Sequence, residues 1–507
     1  MGCRARRAEW TPWVGAMLAA CLAGSAGTVH ADDRPAPDTG SRSLDVPKVP
    51  SFEMLVPSAN AMGARQLRVM GRRAHQGKPV VVRGYVTHVY DCVSENLEPF
   101  KTRAQVVKEL AADPKRCELE KIYLGDTKTT PREFSLHIAD LPKTVAWKVG
   151  DYLEVAGTFA FTSPGGDKSR AGLVTMSSAK IVKPETGTKT QLPAPLSIKA
   201  LPTPRPVRPS SPPGEKMRAI AAVMQSARKH AEWLSWADAQ NEYRRVVATW
   251  DGHDVAWYEL GRVYAIPGMF SEATDAFEKA FSFVPTHPVY AFEYGRSLWL
   301  RDYQRARQAE AKRRGIHEEY LELSAAEAGL KSERAQQVLE YALSLAPEQW
   351  GAHVALGDIY TANEDHRLAA EVWTQAIARG PKDYAPYFRL ASLYREWGYE
   401  DEALAVAQAW MKVVTPDDTS DRMYVIAAQA YEAKGDRKKA IEMLSVVVSR
   451  PSRGVDDANL MRARLYVATK QYDKARADLD KFPTHNKSRM REVNVILSSI
   501  PVGKKKR

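Results

Sequence analysis

Few residues of this 507-residue chain stand at spacings that catalysis would need. His317-Glu318 opens like a zinc-binding helix, in which a second histidine four residues on shares the metal, but Leu321 occupies that place. Gly165-Gly166-Asp167-Lys168-Ser169 ends in Lys-Ser as a phosphate loop does. It lacks the first glycine at the required spacing and falls between two predicted strands, so a hairpin turn is expected there. No Gly-x-Ser-x-Gly nucleophile elbow occurs. The eleven histidines are dispersed, and His88 and His137, both in predicted strands, are expected to be solvated or hydrogen-bonded rather than ligands or bases. Cys92 and Cys117 have neither a second cysteine pair nor a histidine couple at zinc spacing. The expectation is a non-catalytic chain with no cofactor and no metal.

Recognition is a different chemistry, and it needs a repeated surface. Alanines 239, 273, 335, 369, 403, 440 and 475 recur at steps of 34, 62, 34, 34, 37 and 35 residues. The clearest unit runs from Asp254 to His287, with Trp257, Leu260, Gly261 and Tyr264 on a first helix and Ala273, Phe277, Ala280 and Pro285 on and after a second. His353, Leu356, Gly357, Tyr360, Ala369, Trp373, Ala376 and Pro381 hold the same offsets, and Tyr387, Leu390, Ala391, Tyr394, Ala403, Ala407 and Trp410 form a looser copy. This pattern resembles the tetratricopeptide repeat (TPR), in which two antiparallel helices bury their apolar stripes only by stacking on the next pair. Gly261 and Ala273 would be small because the helices cross there, and Pro285 and Pro381 would stop second helices. Weaker copies around Tyr243, Tyr431 and Tyr466 bring the count to roughly seven pairs. The 62-residue step leaves the register between 300 and 334 open: Tyr303 to Gly315 is long and charged, and a further first helix is expected around Tyr320 and Leu323.

The resemblance implies a concave face lined by the first helices. Its expected binding positions hold Tyr258, Arg262, Phe292, Arg296, Trp299, Asp358, Phe388 and Arg395. Aromatics mixed with arginines suit an extended peptide or a partner helix. An alternative is that Phe292 and Trp299 only fill the junction after Gly295. The Lys/Asn set by which some TPR domains clamp a C-terminal carboxylate is absent, its places being held by Tyr258, Arg262, Glu293 and Arg296.

Address and redox state come from the N-terminus. Arg4, Arg6 and Arg7 precede an apolar stretch from Trp10 to Ala26, which has the form of an export signal. Two cleavage readings compete: release after Ala31 (1–31), or a lipobox at Leu18-Ala19-Ala20-Cys21 that would leave a lipidated Cys21 and a possible anchor in the outer membrane. Residues 32–50 are then a proline-bearing disordered tether. An exported chain with one remaining cysteine pair implies a Cys92–Cys117 disulfide. Of the net charge of +12, the leader carries +2 and the tail Lys504–Arg507 +4, and the remaining +6 does not demand a polyanion.

Upstream of the array, residues 51–182 alternate as strands do. Val80 to Tyr90, Lys121 to Leu124, Phe134 to Ile138, Gly150 to Phe161 and Leu173 to Val182 give five strands, with a short helix at Thr102 to Ala112 between the cysteines. Their order and the GDYLEVAGTF strand look like an OB-fold barrel, which implies a nucleic-acid, glycan or protein ligand; export argues against nucleic acid. Tyr85, Tyr90, Tyr152, Phe159 and Phe161 are expected to pack rather than stack on bases. Residues 183–215 hold nine prolines and are expected to be a stiff spacer, up to about 90–100 Å if fully extended, that keeps two modules apart. The array then runs over 216–490, followed by a basic tail, 491–507. The fold expected is multidomain: a small OB-like β-barrel followed by an all-α TPR superhelical solenoid. The function expected is a periplasmic, cell-envelope scaffold that binds partner proteins through the concave face, with barrel-led nucleic-acid or glycan binding over an oligomerising array as the alternative.

Overall fold

A computed structural model of the chain describes residues 46–501, apart from 59, 97–102, 115–116, 142–146, 185–186, 191, 193–198, 212, 316, 319–320, 322–329, 381, 415–420, 451–456 and 481–486. The leader with Cys21, most of the tether, Tyr320, Leu323, Pro381 and the tail from 502 lie outside the described residues. The chain divides into two compact units: residues 43–193 with 387–507, and residues 194–386.

The first unit opens with β1 (Met54–Val56), β2 (Met62–Gly63) and α1 (Ala64–His75). A barrel follows: β3 (Pro79–Val89), α2 (Cys92–Glu95), α3 (Arg103–Ala112), β4 (Ile122–Gly125), β5 (Leu136–Ala139), β6 (Tyr152–Thr162) and β7 (Lys168–Ile181). Antiparallel pairs β3–β4, β4–β5, β6–β7 and β3–β6, with a parallel β5–β7 pair, close the ring β3-β4-β5-β7-β6-β3. Alternation turns Val82, Val86, Leu153 and Val155 inward, where they meet Ile122 and Ile138. Gly157 permits the β6–β7 register shift: a Cβ there would lie 2.2 Å from the Thr175 carbonyl oxygen. Helix α1 was not foreseen. Its Leu67 and Ala64 enter the barrel core, and a side chain at Gly71 would strike the Phe159 ring. Strand β8 (Thr188–Thr190) pairs antiparallel with β1, so part of the expected spacer folds back on the start of the domain.

The second unit is a stack of helix pairs. They are α4 (Met217–Glu232) with α5 (Trp236–Thr249), α6 (Asp254–Ala265) with α7 (Phe270–Phe283), α8 (Pro288–Arg314) with α9 (Glu333–Leu345), and α10 (Trp350–Ala362) with α11 (His366–Arg379). Ala239, Ala273, Ala335 and Ala369 are each fully buried, one on each second helix. A Cβ on Gly261 would lie 2.8 Å from Phe277, on Gly295 2.8 Å from Leu339, and on Gly357 2.2 Å from Trp373, which is why these crossings need glycine. The 62-residue step resolves here. Tyr303 to Arg314 is the far half of a 27-residue first helix whose partner is α9, while Tyr320 and Leu323, where a further first helix is expected, lie outside the described residues.

The proline-rich stretch is a strap rather than a spacer. Gln337 donates to the Lys199 carbonyl (2.8 Å), the Val207 N–H to the Ser282 carbonyl (2.8 Å), and the Trp250 indole to the Ser210 carbonyl (2.8 Å). The chain therefore runs back along successive second helices. Polyproline geometry makes no internal hydrogen bonds, so its backbone groups are open to such partners.

Returning to the first unit, α12 (Tyr384–Trp397), in which the division between units falls, leads to α13 (Glu400–Val413), α14 (Asp421–Ala433), α15 (Arg437–Ser449), α16 (Asp457–Ala468), α17 (Tyr472–Asp480) and α18 (Lys487–Ser498). Ala403, Ala440 and Ala475 are fully buried. Val493, Ile496 and Ile500 pack on Leu460 and Leu479, so the first part of what was expected as tail, 491–498, belongs to a helix that covers the last repeat.

These helices hold the barrel against them, contrary to the expectation that the modules stand apart. Phe52 is fully buried, its ring 5.0 Å from Trp397 and 5.5 Å from Tyr399, both edge-on, and 6.2 Å from Tyr394. Arg68 of α1 pairs with Glu396 (3.1 Å) and donates to the Glu133 carbonyl (3.0 Å).

Candidate recognition surfaces

Three first helices of the 194–386 unit carry an arginine directly after the small residue of the crossing: Arg228 after Ala227, Arg262 after Gly261 and Arg296 after Gly295. Each of the last two is oriented by its own helix. Arg262 pairs with Glu259 (3.2 Å) and lies over the Tyr258 ring (5.9 Å); Arg296 pairs with Glu293 (2.9 Å) and lies over Phe292 (5.7 Å). Burial works against the Arg262 charge, but Glu259, Tyr258 and Glu293 nearby raise its pKa. Burial, with Glu293 beside it, pushes the Tyr258 phenol up, so it stays neutral. The ring of Tyr258 stands 5.1 Å from Tyr290, whose hydroxyl donates to Asp254 (3.0 Å).

Two histidines that the sequence reading passed over set the start of these helices. The Nδ1 of His253 accepts from the Ala256 N–H (3.3 Å) and that of His287 from the Tyr290 N–H (3.4 Å), each serving as an N-cap. Burial lowers both pKa values and favours the neutral ring that can accept. Their 34-residue separation was the available signal.

The eight expected positions divide by burial. Trp299 is 6% exposed and stacks on Tyr303 (6.3 Å), while Phe292 is 9% exposed and a Cβ on Gly351 of α10 would lie 2.8 Å from its ring. Both are packing residues of the long α8, in line with the alternative that they fill the junction after Gly295. Tyr258, Arg262, Arg296 and Asp358 keep partial exposure. Phe388 is half-buried with Arg422 over its ring (5.7 Å). Arg395 is buried and taken up by the barrel: it pairs with Glu133 (3.1 Å) and Glu400 (3.6 Å) and covers the Phe134 ring (5.1 Å).

The barrel has a polar cluster of its own across β4 and β5. Lys121 pairs with Asp167 (2.9 Å) and Glu118 (2.8 Å) and lies over the Tyr90 ring (5.5 Å). His137 stacks on Tyr123 (5.2 Å), over which Arg132 also lies (4.8 Å). Burial works against the Lys121 charge, yet its bonds to Glu118 and Asp167 raise its pKa overall. His137 is 5% exposed, with Nε2 3.7 Å from Asp167; burial lowers its pKa to about 4. Tyr90, Tyr152 and Phe159 are buried. Cys92 and Cys117 are paired, their Cα atoms 5.4 Å apart, and bracket α2 and α3. Among the described residues no group of three His, Cys, Asp or Glu side chains is placed to hold a metal, and no helix is long and apolar enough to cross a membrane.

No family model matches the chain, and no curated protein matches it. Among solved structures, a tetratricopeptide repeat protein from Parabacteroides merdae aligns at 12% identity and TM-score 0.36, covering 55% of this chain and 99% of that one. PilW, a type IV pilus biogenesis factor, aligns at 15% and 0.35, covering 47% and 96%. PilF of Pseudomonas aeruginosa aligns at 16% and 0.35, covering 52% and 99%. Likeness at this level does not transfer a function.

Proposed function

We propose that the chain is a non-catalytic protein-interaction scaffold of the bacterial cell envelope, a TPR array joined to an OB-fold barrel. The observation that carries the reading is the repeated first-helix face of α4, α6 and α8, where Arg228, Arg262 and Arg296 recur at one position per repeat, with Tyr258 beside Arg262. A surface built by repetition suits an extended partner segment better than a small molecule. The closed ring β3-β4-β5-β7-β6, in which β5 and β7 run parallel, supports the OB-fold assignment of the barrel. Export as a soluble periplasmic or Cys21-lipidated protein is supported by the leader composition and by the cysteine pair.

The second reading, a barrel-led ligand site, draws on Tyr123 with Arg132 over its ring, an aromatic and cationic platform of the kind that glycans and bases stack on. Photo-crosslinking separates the two. With the reactive residue at position 258, one dominant protein adduct is expected in the envelope fraction; at position 123, none. Adducts from position 123 alone would make the barrel the binding module and remove the array from that role.

A further inference from the structure

Between the second helices α5 and α7 of the 194–386 unit lies a groove of about 350 Å³ that none of the expected binding positions lines. Its floor is Trp257, Leu260 and Tyr264 of α6, the first helix that packs against both walls. Trp257 to Tyr264 covers about 10 Å of helix. At one end the Trp257 indole is fixed by donating Nε1 to the Asp251 carbonyl (2.6 Å), and the Asp251 carboxylate accepts from Ser210 Oγ of the proline strap. At the other, Arg244 donates Nε to the Tyr264 hydroxyl (2.6 Å) and lies over its ring (5.3 Å). The walls differ in charge: α7 presents Glu272 and Asp275, α5 presents Arg244, and all three are exposed. None of them has an ion-pair partner among the described residues, so the walls do not neutralise each other across the groove. Glu272 stands in the first turn of α7, where the helix dipole favours an acid, whereas Asp275 lies beyond that turn and outside its reach.

We propose that this groove is a docking site separate from the first-helix face, and that it takes an amphipathic helix of a partner protein. Two apolar side chains one turn apart lie against Trp257 and Leu260, a lysine or arginine faces Asp275, and an acidic residue on the opposite flank faces Arg244. The groove itself selects this occupant. It is shallow and open to solvent, so a small molecule would leave much of its surface in water, while a helix closes the opening with its own bulk. Floor and walls are helix faces whose backbone groups are paired internally, so an extended chain would find no backbone hydrogen bonds there. The apolar floor matches anchors at i and i+3 or i+4, about 5 Å apart along a helix axis. Charges of opposite sign on the two flanks complement the unlike walls and fix which way round the helix lies.

The test presents the full chain to a displayed library of alanine-based helical peptides about 15 residues long, randomised on one face. Selected peptides are expected to share two large apolar residues at i and i+3 or i+4, with a basic residue within one turn of them. Selection repeated on Asp275→Lys is expected to replace that basic residue with an acidic one. Ala248→Trp, which fills the groove from an exposed position on α5, is expected to remove the enrichment. In fluorescence anisotropy a selected peptide should bind the unaltered chain at least about tenfold more tightly than either variant, with circular dichroism unchanged. Should Ala248→Trp lose helicity, Asp275→Lys decides, because a merely structural role for Asp275 would not reverse the sign of the selected residue. No enrichment on the unaltered chain, the same peptides enriched on Ala248→Trp while it stays folded, or a basic residue that persists on Asp275→Lys would each overturn the proposal. The scaffold reading is tested at position 258, on residues outside this groove, so a failed selection leaves a position-258 adduct standing and a missing adduct leaves the groove standing.

Discussion

Replacing Phe52 with alanine should unfold the barrel and the helices from 387 onward together. The ring is completely buried, edge-on to Trp397 at 5.0 Å and Tyr399 at 5.5 Å and near Tyr394 at 6.2 Å. Removing a fully buried phenylalanine costs about 3–5 kcal/mol, depending on how far the cavity collapses. Edge-to-face aromatic pairs add about 0.5–1.5 kcal/mol each, though not additively. The backbone contributes little to the difference, because Phe52 sits at φ 53° and alanine at that position bears much the same strain. We expect a loss of about 3–4 kcal/mol, which at a urea slope of about 3 kcal/mol/M moves the midpoint down by roughly 1 M. The assay is urea unfolding followed by amide exchange, read in parallel on α13 and α15 and on the barrel strands β3 and β6. Both probes should shift together. Val149→Ala, at a residue 62% exposed, should move neither. A shift below about 0.3 M, or a barrel that moves while the helices do not, would refute the claim that the two share one core.

Acid should loosen the barrel through His137, whose pKa in the fold is about 4 against an ordinary 6.5. The neutral ring is favoured by folding, so its full contribution is present above pH 6.5 and is lost as pH falls from there through 4, on the order of 3 kcal/mol in all; His137→Phe should flatten barrel stability across that window, and an unchanged slope would remove His137 as the cause. Non-reducing peptide mapping should link Cys92 to Cys117, and Cys92→Ser with Cys117→Ser should cost about 3 kcal/mol for a separation of 25 residues; full alkylation without prior reduction would contradict this. Leu234 holds φ 60° while 68% exposed, at the helix-pair turn where later repeats place Gly268, Gly398 and Gly435. Leu234→Gly should therefore raise stability by about 1 kcal/mol in a thermal melt and Leu234→Ala should not; equal effects would assign the gain to the lost side chain instead of the backbone.

The alanine period, the glycine crossings and the strand alternation were legible because each records a local requirement. A helix pair needs a small residue where its axes meet, and a strand in a barrel needs every second side chain apolar, whichever chain supplies the neighbours. Those rules located the repeats and the barrel strands. They could not resolve the 62-residue step, since Tyr303 to Arg314 obeys helix rules whether it prolongs one helix or begins another, and only the unbroken helix from Pro288 to Arg314 shows which. The same limit governed the candidate site. Tyr258 and Phe292 hold equivalent positions, yet Phe292 is covered because Gly351 of the following first helix admits its ring. Nor does any local pattern announce that Phe52 belongs beside Trp397, or that Lys199, Val207 and Ser210 give their backbone groups to three successive repeats. Hydrophobic burial is non-directional and carries no address in the chain. The sequence therefore determined which residues must be covered, and only the tertiary structure decided what covers them.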